Sequence, residues 1–373
     1  MLKAVSLAEK GKGKTFPNPC VGALVTAGSE IAGQGFHRAY GSRHAEVEAI
    51  EDARSKGYDL SACTLFVTLE PCNHHGKTPP CTRAVLGSGI RRIVVGTMDP
   101  NKNVQGGGAE FLEQSGLKVL TGIEEQLCLD LIADFTVWQQ TSRAYLYLKT
   151  ASTLDGKIAA ASGHSQWVTS DASRKKVHYL RSTAGAVIIG ANTFFQDNPR
   201  LTCRGFARDH QPLAIVVTSR LPDPDGDFFL MKQRAHETVF WTDIEKAHSA
   251  VADRLRSRGC QVLALNRNHR GLDLNQGLTW LRQEKNIFYA MCEGGGSLGW
   301  SFLEAGLADE IWCFMAMKVL GDKQGVPVFH GRRAETMHQA VNLRLSESRM
   351  VGKDLWLRLF PEAQVNVLHS AGN

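Results

Sequence analysis

His44-Ala45-Glu46, Pro71-Cys72 and Cys81 place the tightest condition on how this 373-residue chain can fold, because one imidazole and two thiolates from separate segments must converge. That donor set suits Zn²⁺ and leaves the fourth tetrahedral position to water, whereas structural zinc sites usually close with four protein ligands. Residues two apart do not share a helical side face, so His44 and Glu46 reach one metal only if a helix presents its N-terminal end. Gly41-Ser42-Arg43 and the apolar spacing after His44 fit a helix that starts there. Pro79-Pro80 stand just ahead of a helix beginning near Cys81, and a helix N-terminus favours the thiolate. Zinc lowers the pKa of bound water to about 7. Glu46 is then expected to take its proton and pass it to a departing amine.

The pattern around these residues is α/β. Val21–Thr26, Thr64–Thr68, Arg92–Val95 and Gly116–Thr121 read as strands, with helices over His44–Lys56, Thr82–Leu86 and Glu124–Gln140. Such alternation implies a mostly parallel or mixed sheet covered by helices. Gly33-Gln34-Gly35-Phe36-His37 reads as a turn, and Gly106-Gly107-Gly108 as another. A fresh pattern starts at Ala144, so two domains are expected, 1–141 and 142–373. The junction at Gln139–Arg143 lacks Pro and Gly, which predicts domains set close together. In the second half Ala144–Thr150, Ala186–Ile189, Leu213–Thr218, Thr238–Trp241, Val262–Leu265 and Ile287–Met291 read as strands, and Asp171–Ser182 as a helix. The Gly294–Gly296 loop leads into a helix over Ser297–Ala305, and Glu310–Met317 is expected to be the last strand. Glycines opening a helix let phosphates approach backbone N–H groups, although the G-x-G-x-x-G fingerprint is absent.

Composition narrows the function classes. The net charge of +6 is spread along the chain, without the basic stripe of a nucleic-acid binder, and fits a small anionic ligand. No run approaches the roughly 20 apolar residues of a membrane helix, and Met1–Lys10 is unlike a signal peptide. A cytoplasmic protein without membrane partners is expected. Nine cysteines at irregular spacing argue against a disulfide framework.

Zinc nucleobase deaminases carry H-x-E…P-C-x-x-C, whereas here eight residues separate Cys72 from Cys81. The stretch Thr68-Leu69-Glu70-Pro71-Cys72-Asn73-His74-His75-Gly76-Lys77-Thr78-Pro79-Pro80-Cys81 resembles the deaminase half of the bifunctional riboflavin-biosynthesis family RibD. Pro17-Asn18-Pro19, Val21-Gly22, Gly33–His37 and Asp99-Pro100-Asn101 match in order. The resemblance implies a cytidine-deaminase-like N-terminal domain. It also implies a substrate, 2,5-diamino-6-ribosylamino-4(3H)-pyrimidinone 5′-phosphate, deaminated on the ring. Asn18, His37, His74, Lys77, Asp99 and Asn101 would line the pocket, with Lys77 toward the phosphate. The first helix is shorter than in many relatives, and Lys102 stands where the family usually has Pro, so the loop shape there departs from the pattern.

Lys149–Lys157, Ser165–Ser170, Leu180-Arg181 and Asp197–Thr202 resemble the reductase half, which is similar to dihydrofolate reductase and uses NADPH to reduce the ribosyl group at C1′. The match implies Ala151, Trp167, Thr169, Thr193, Asp197, Ser219, Gly295, Gly296, Ser297, Leu298 and Gly299 around NADPH. Ser165, Arg181, Leu201, Arg204 and Glu293 would face the substrate, with Arg181 and Arg204 clamping its phosphate. Lys149 and Asp197 are candidates for opening the sugar; Met317 replaces a frequent Pro. A homo-oligomer acting on a phosphorylated pyrimidine is expected. Two other readings compete: a deaminase with a non-catalytic C-terminal binding or assembly module, and a nucleic-acid base deaminase, which the missing basic stripe disfavours.

Overall fold

Strands β1 (Gly22–Ala27), β2 (Glu30–Phe36), β3 (Thr64–Leu69), β4 (Arg92–Thr97) and β5 (Lys118–Leu120) form one sheet in the order β2-β1-β3-β4-β5. The computed structural model describes residues 1–74, 79–101, 107–206, 210–331 and 333–362. The chain divides into two compact units, Met1–Thr141 and a second beginning at Ser142. In the first, β1 runs antiparallel to β2 and β3, while β3, β4 and β5 run parallel. Helix α1 (Leu2–Ala8) packs Ala4 and Leu7 with Leu24, while Val25, Leu65, Val67, Ile93 and Val95 of the sheet pack with Ala45, Ala49 and Ala53 of α2 (Ala45–Ser55) and Val85 of α3 (Cys81–Ser88). The carboxyl ends of β3 and β4 point to the same edge, the usual ligand-binding side of a parallel α/β sheet.

The segment Gly33–His37 is not a turn. Its first four residues belong to β2, where Gly33 and Gly35 let the backbone of α2 lie directly on the strand. A Cβ on Gly35 would stand 2.6 Å from the Ala49 nitrogen, and one on Gly33 would stand 2.8 Å from Ala53 Cβ. The sequence 124–140 forms two helices, α5 (Glu125–Leu131) and α6 (Ala133–Gln140), interrupted at Ile132. Gly107 and Gly108 do more than turn the chain. They open helix α4 (Gly108–Gln114), and a side chain on Gly108 would overlap the Pro71 carbonyl beside Cys72.

The second unit holds a nine-stranded sheet among the described residues. Its order is Gln261–Leu265, Thr238–Asp243, Leu213–Val217, Ala186–Gly190, Tyr289–Cys292, Tyr145–Thr153, Glu310–Ala316, Asp354–Pro361, Leu343–Val351. The strands up to Glu310–Ala316 are parallel, and Asp354–Pro361 runs antiparallel to both its neighbours, Glu310–Ala316 and Leu343–Val351. Both faces are covered, so central strands such as Ala186-Val187-Ile188-Ile189 are apolar throughout. Glu310–Ala316 is therefore not the last strand: an antiparallel hairpin follows. Its Asp354 accepts hydrogen bonds from the Ser170 N–H (2.8 Å), Ser170 Oγ (2.7 Å) and Ser173 Oγ (2.5 Å), anchoring the start of helix α7 (Asp171–Thr183).

Overpacking a close contact costs about 1–3 kcal/mol. Gly35→Ala is accordingly expected to speed hydrogen exchange at the amides of α2 while the sheet of the second unit keeps wild-type protection; unchanged exchange in α2 would show that the close approach is not required.

Candidate active sites

His44 precedes α2 with an extended backbone, Cys72 follows β3, and Cys81 opens α3. His44 Nδ1 lies 3.1 Å from Cys81 Sγ and 3.6 Å from Cys72 Sγ, and the Cys81 N–H donates to Cys72 Sγ at 3.4 Å. The three ligand atoms all lie within 4.8 Å of one another. Tetrahedral zinc with Zn–S near 2.3 Å and Zn–N near 2.0 Å sets ligand atoms about 3.5–3.8 Å apart, so this donor set fits the ion. Hydrogen bonds from Cys81 and His44 hold the Cys72 thiol down, at about 4, whereas the Cys81 thiol is raised by its bond to Cys72 and by burial. Glu46, in the first turn of α2, is only 3% exposed. Burial, then the Cys72 charge, pushes its carboxyl up to about 7.

A cavity of about 330 Å³ opens beside this cluster. Asn18, His37, His74, Asp99 and Asn101 line it together with His44, Glu46 and Cys72. His37 Nδ1 lies 3.1 Å from the Arg43 carbonyl, which requires a proton on that nitrogen, and its Nε2 then accepts from Asn18 Nδ2 at 3.2 Å. Burial lowers the His37 pKa, consistent with this neutral ring, and raises that of Asp99. Lys77 lies outside the described residues. Sequence reasoning missed Tyr40, Ser42, Glu70, Phe135 and Gln139 in the lining. Phe135 and Gln139 stand four apart on α6, a spacing that shares one helical face and could have suggested them.

In the second unit two cavities, of about 550 and 670 Å³, share Ser165, Thr193, Asp197 and Gly295. The first is walled by Gly190–Thr193 and by the Gly-rich start of the helix Gly296–Glu304, including Ser297 and Leu298. No side-chain cap closes the start of that helix, and its first residues line the cavity, a wall that suits a phosphate-bearing cofactor. Lys149, Ala151, Trp167, Thr169, Arg181, Arg204 and Glu293 line the second. Ser219, Leu201 and Gly299 line neither: Leu201 packs in the core, and Gly299 sits against Leu148 and Phe329.

Arg181 is held by Glu293, with Nη2 to Oε2 at 2.7 Å and Nε to Oε1, and Nη1 donates to the Thr202 carbonyl at 3.1 Å. Burial would raise the Glu293 pKa, but Arg181 and then Lys149 bring it below the ordinary value. Burial lowers the pKa of Lys149. Arg174, Lys175 and His178 add further nitrogen-bearing side chains to this cavity. The spacing of Arg174, His178 and Arg181 puts all three on one face of α7, a signal present in the sequence and overlooked.

Residues 1–97 match the cytidine and deoxycytidylate deaminase zinc-binding region, and residues 144–357 match the RibD C-terminal domain. The chain is 40% identical over 355 residues to the riboflavin biosynthesis protein RibD of Aquifex aeolicus, covering 95% of this chain and 96% of that protein. It is 34% identical to that of Escherichia coli, covering 96% and 98%. A crystal structure of a diaminohydroxyphosphoribosylaminopyrimidine deaminase/5-amino-6-(5-phosphoribosylamino)uracil reductase from Thermotoga maritima superposes with a TM-score of 0.74 at 35% identity, covering 97% of each chain. RibD from Acinetobacter baumannii gives a TM-score of 0.70 at 31% identity, covering 96% and 97%. The chain therefore belongs to the bifunctional RibD family of riboflavin biosynthesis, with a zinc-binding, cytidine-deaminase-like unit followed by a dihydrofolate-reductase-like, NADPH-dependent reductase unit.

Proposed function

We propose that the unit within residues 1–141 hydrolyses the ring amino group of 2,5-diamino-6-ribosylamino-4(3H)-pyrimidinone 5′-phosphate, and that the unit beginning at 142 reduces the ribosyl group of the product to ribityl. The observation that carries the reading is the His44, Cys72 and Cys81 cluster with buried Glu46 on the wall of a cavity. Bound at these three ligands, zinc supplies an activated water. Glu46 accepts a proton from the nucleophile and delivers it to the departing amine. Asn18, His37, His74, Asp99 and Asn101 orient the pyrimidine, and Lys77 takes the phosphate.

In the second unit Ala151, Trp167, Thr169, Thr193, Asp197 and Gly295–Leu298, all on the walls of the two cavities, hold NADPH, which supplies hydride for sugar C1′. Lys149, Ser165, Arg181, Arg204 and Glu293 serve the substrate, with Lys149 and Asp197 assisting sugar opening. Because Glu293 grips Arg181, that guanidinium reaches the phosphate in a fixed orientation, and Arg204 completes the clamp. The same reading makes the protein a cytoplasmic homo-oligomer whose ligand is a small phosphorylated pyrimidine rather than a nucleic acid. Among the described residues no helix is long and apolar enough to cross a membrane. A non-catalytic C-terminal module is not favoured, since the second cavity has the ionisable groups a phosphorylated substrate needs.

Glu46→Gln is expected to lower ammonia release by about 10²–10⁴-fold, the usual share of a general acid–base. NADPH oxidation with supplied deaminated substrate should continue, and loss of both in folded protein would contradict two independent sites. Chelation of zinc should abolish ammonia release alone, restored by added Zn²⁺. For the reductase, Arg204→Ala is expected to raise KM for the phosphorylated substrate about tenfold or more, a charged hydrogen bond being worth about 1.5–3 kcal/mol. The affinity for NADPH, followed by fluorescence titration, should be unchanged; an unaltered KM would remove Arg204 from the clamp.

A further inference from the structure

The strand that leads to Cys72 also leads to Glu70, whose carboxylate has no part in the chemistry above. Glu70 lines the deaminase cavity yet is only 9% exposed. Both its oxygens are engaged by backbone: Oε2 accepts from the Asp99 N–H at 3.1 Å, and Oε1 from the Ala109 N–H at 2.9 Å. Its own N–H donates to the Thr97 carbonyl at 2.9 Å. Asp99 Oδ1 in turn accepts the Asn101 N–H at 2.9 Å. One buried carboxylate thus ties the segment after β4, which presents Asp99 and Asn101, to the first turn of α4. There is little slack around it. A Cβ on Gly107 would stand 3.1 Å from Glu70 Oε1, and one on Gly108 would overlap the Pro71 carbonyl. Hydrogen bonds from backbone N–H to an ionised carboxylate are roughly twice as strong as neutral ones, so this is a stiff tether.

We propose that Glu70 is a positioning residue of the deaminase, holding the Asp99–Asn101 segment at a fixed separation from the metal ligand Cys72. It sets where the pyrimidine lies relative to the metal without touching the reacting atoms. The inference rests on the assignment of Asp99 and Asn101 to the substrate. Glutamine at this position keeps the size but must turn its NH₂ toward one of the two N–H donors. One of the two bonds then becomes a donor–donor opposition.

The test compares Glu70→Gln and Glu70→Ala in the full-length, zinc-loaded protein with wild type. It measures ammonia release, zinc content and NADPH-dependent reduction of deaminated substrate. Glu70→Gln is expected to raise KM for the diaminopyrimidinone phosphate about tenfold, with zinc content and reductase rate unchanged. Glu70→Ala should raise it further; if that variant does not fold, the glutamine variant decides. Combined with Asn101→Ala, Glu70→Gln should add much less than the product of the two single effects, which a merely structural role would not produce. A wild-type KM in Glu70→Gln, loss of its zinc, or independent effects in the double variant would overturn the proposal. Failure of the wild-type protein to release ammonia would instead remove the deaminase reading, and this inference with it.

Discussion

The deaminase unit depends on one close contact, the seating of helix α2 on strand β2. Helices ordinarily stand off a sheet by the thickness of two side chains. Here Gly33 and Gly35 on the strand face Ala45, Ala49 and Ala53 on the helix, and backbone meets backbone. The approach fixes the N-terminal end of α2, and with it both His44 and Glu46. A metal site tolerates little error in ligand position, so small residues in the layer beneath are part of its chemistry.

A second device recurs in both units. A buried carboxylate gathers backbone or hydroxyl donors from another segment and so fixes a piece of functional surface. Glu70 does this for Asp99 and the start of α4, and Asp354 does it for Ser170 and Ser173 at the head of α7. In each case a strand residue from one stretch of chain orients side chains of another. Glu70 spreads its two donors over both oxygens, whereas Asp354 gathers its three on Oδ2 alone.

Much of this was legible in the residues themselves. The metal ligands could be named because zinc accepts few side-chain types, and a His-x-Glu beside a Pro-Cys limits the geometry strongly. Strands such as Arg92–Thr97 and Ala186–Gly190 announce themselves by apolar, β-branched runs. Gly33–Phe36 misleads for a physical reason: glycines that permit close packing have the same composition as glycines that permit a turn. The last hairpin was readable in principle. Asp354–Pro361 alternates buried and half-buried positions, and Gly352, with φ of 63°, turns the chain before it. On α7, basic residues that look like a solvated face prove to line a cavity.

By itself the sequence determined the chemistry available: a nitrogen and two sulfurs for a metal, a carboxylate beside them, and a glycine-rich helix start for a phosphate-bearing cofactor. It also determined the alternation of strands and helices that makes both units α/β. Only the tertiary structure decided how these groups are aimed. That Arg181 is gripped by Glu293, that Asn18 donates to a His37 ring of defined tautomer, and that Glu70 ties down Asp99 all depend on partners far away in the chain. Local patterns encode which face of an element is apolar, because that repeats every two or three to four residues. The pairing of single polar atoms across the fold has no period, so it emerges only when the elements are packed.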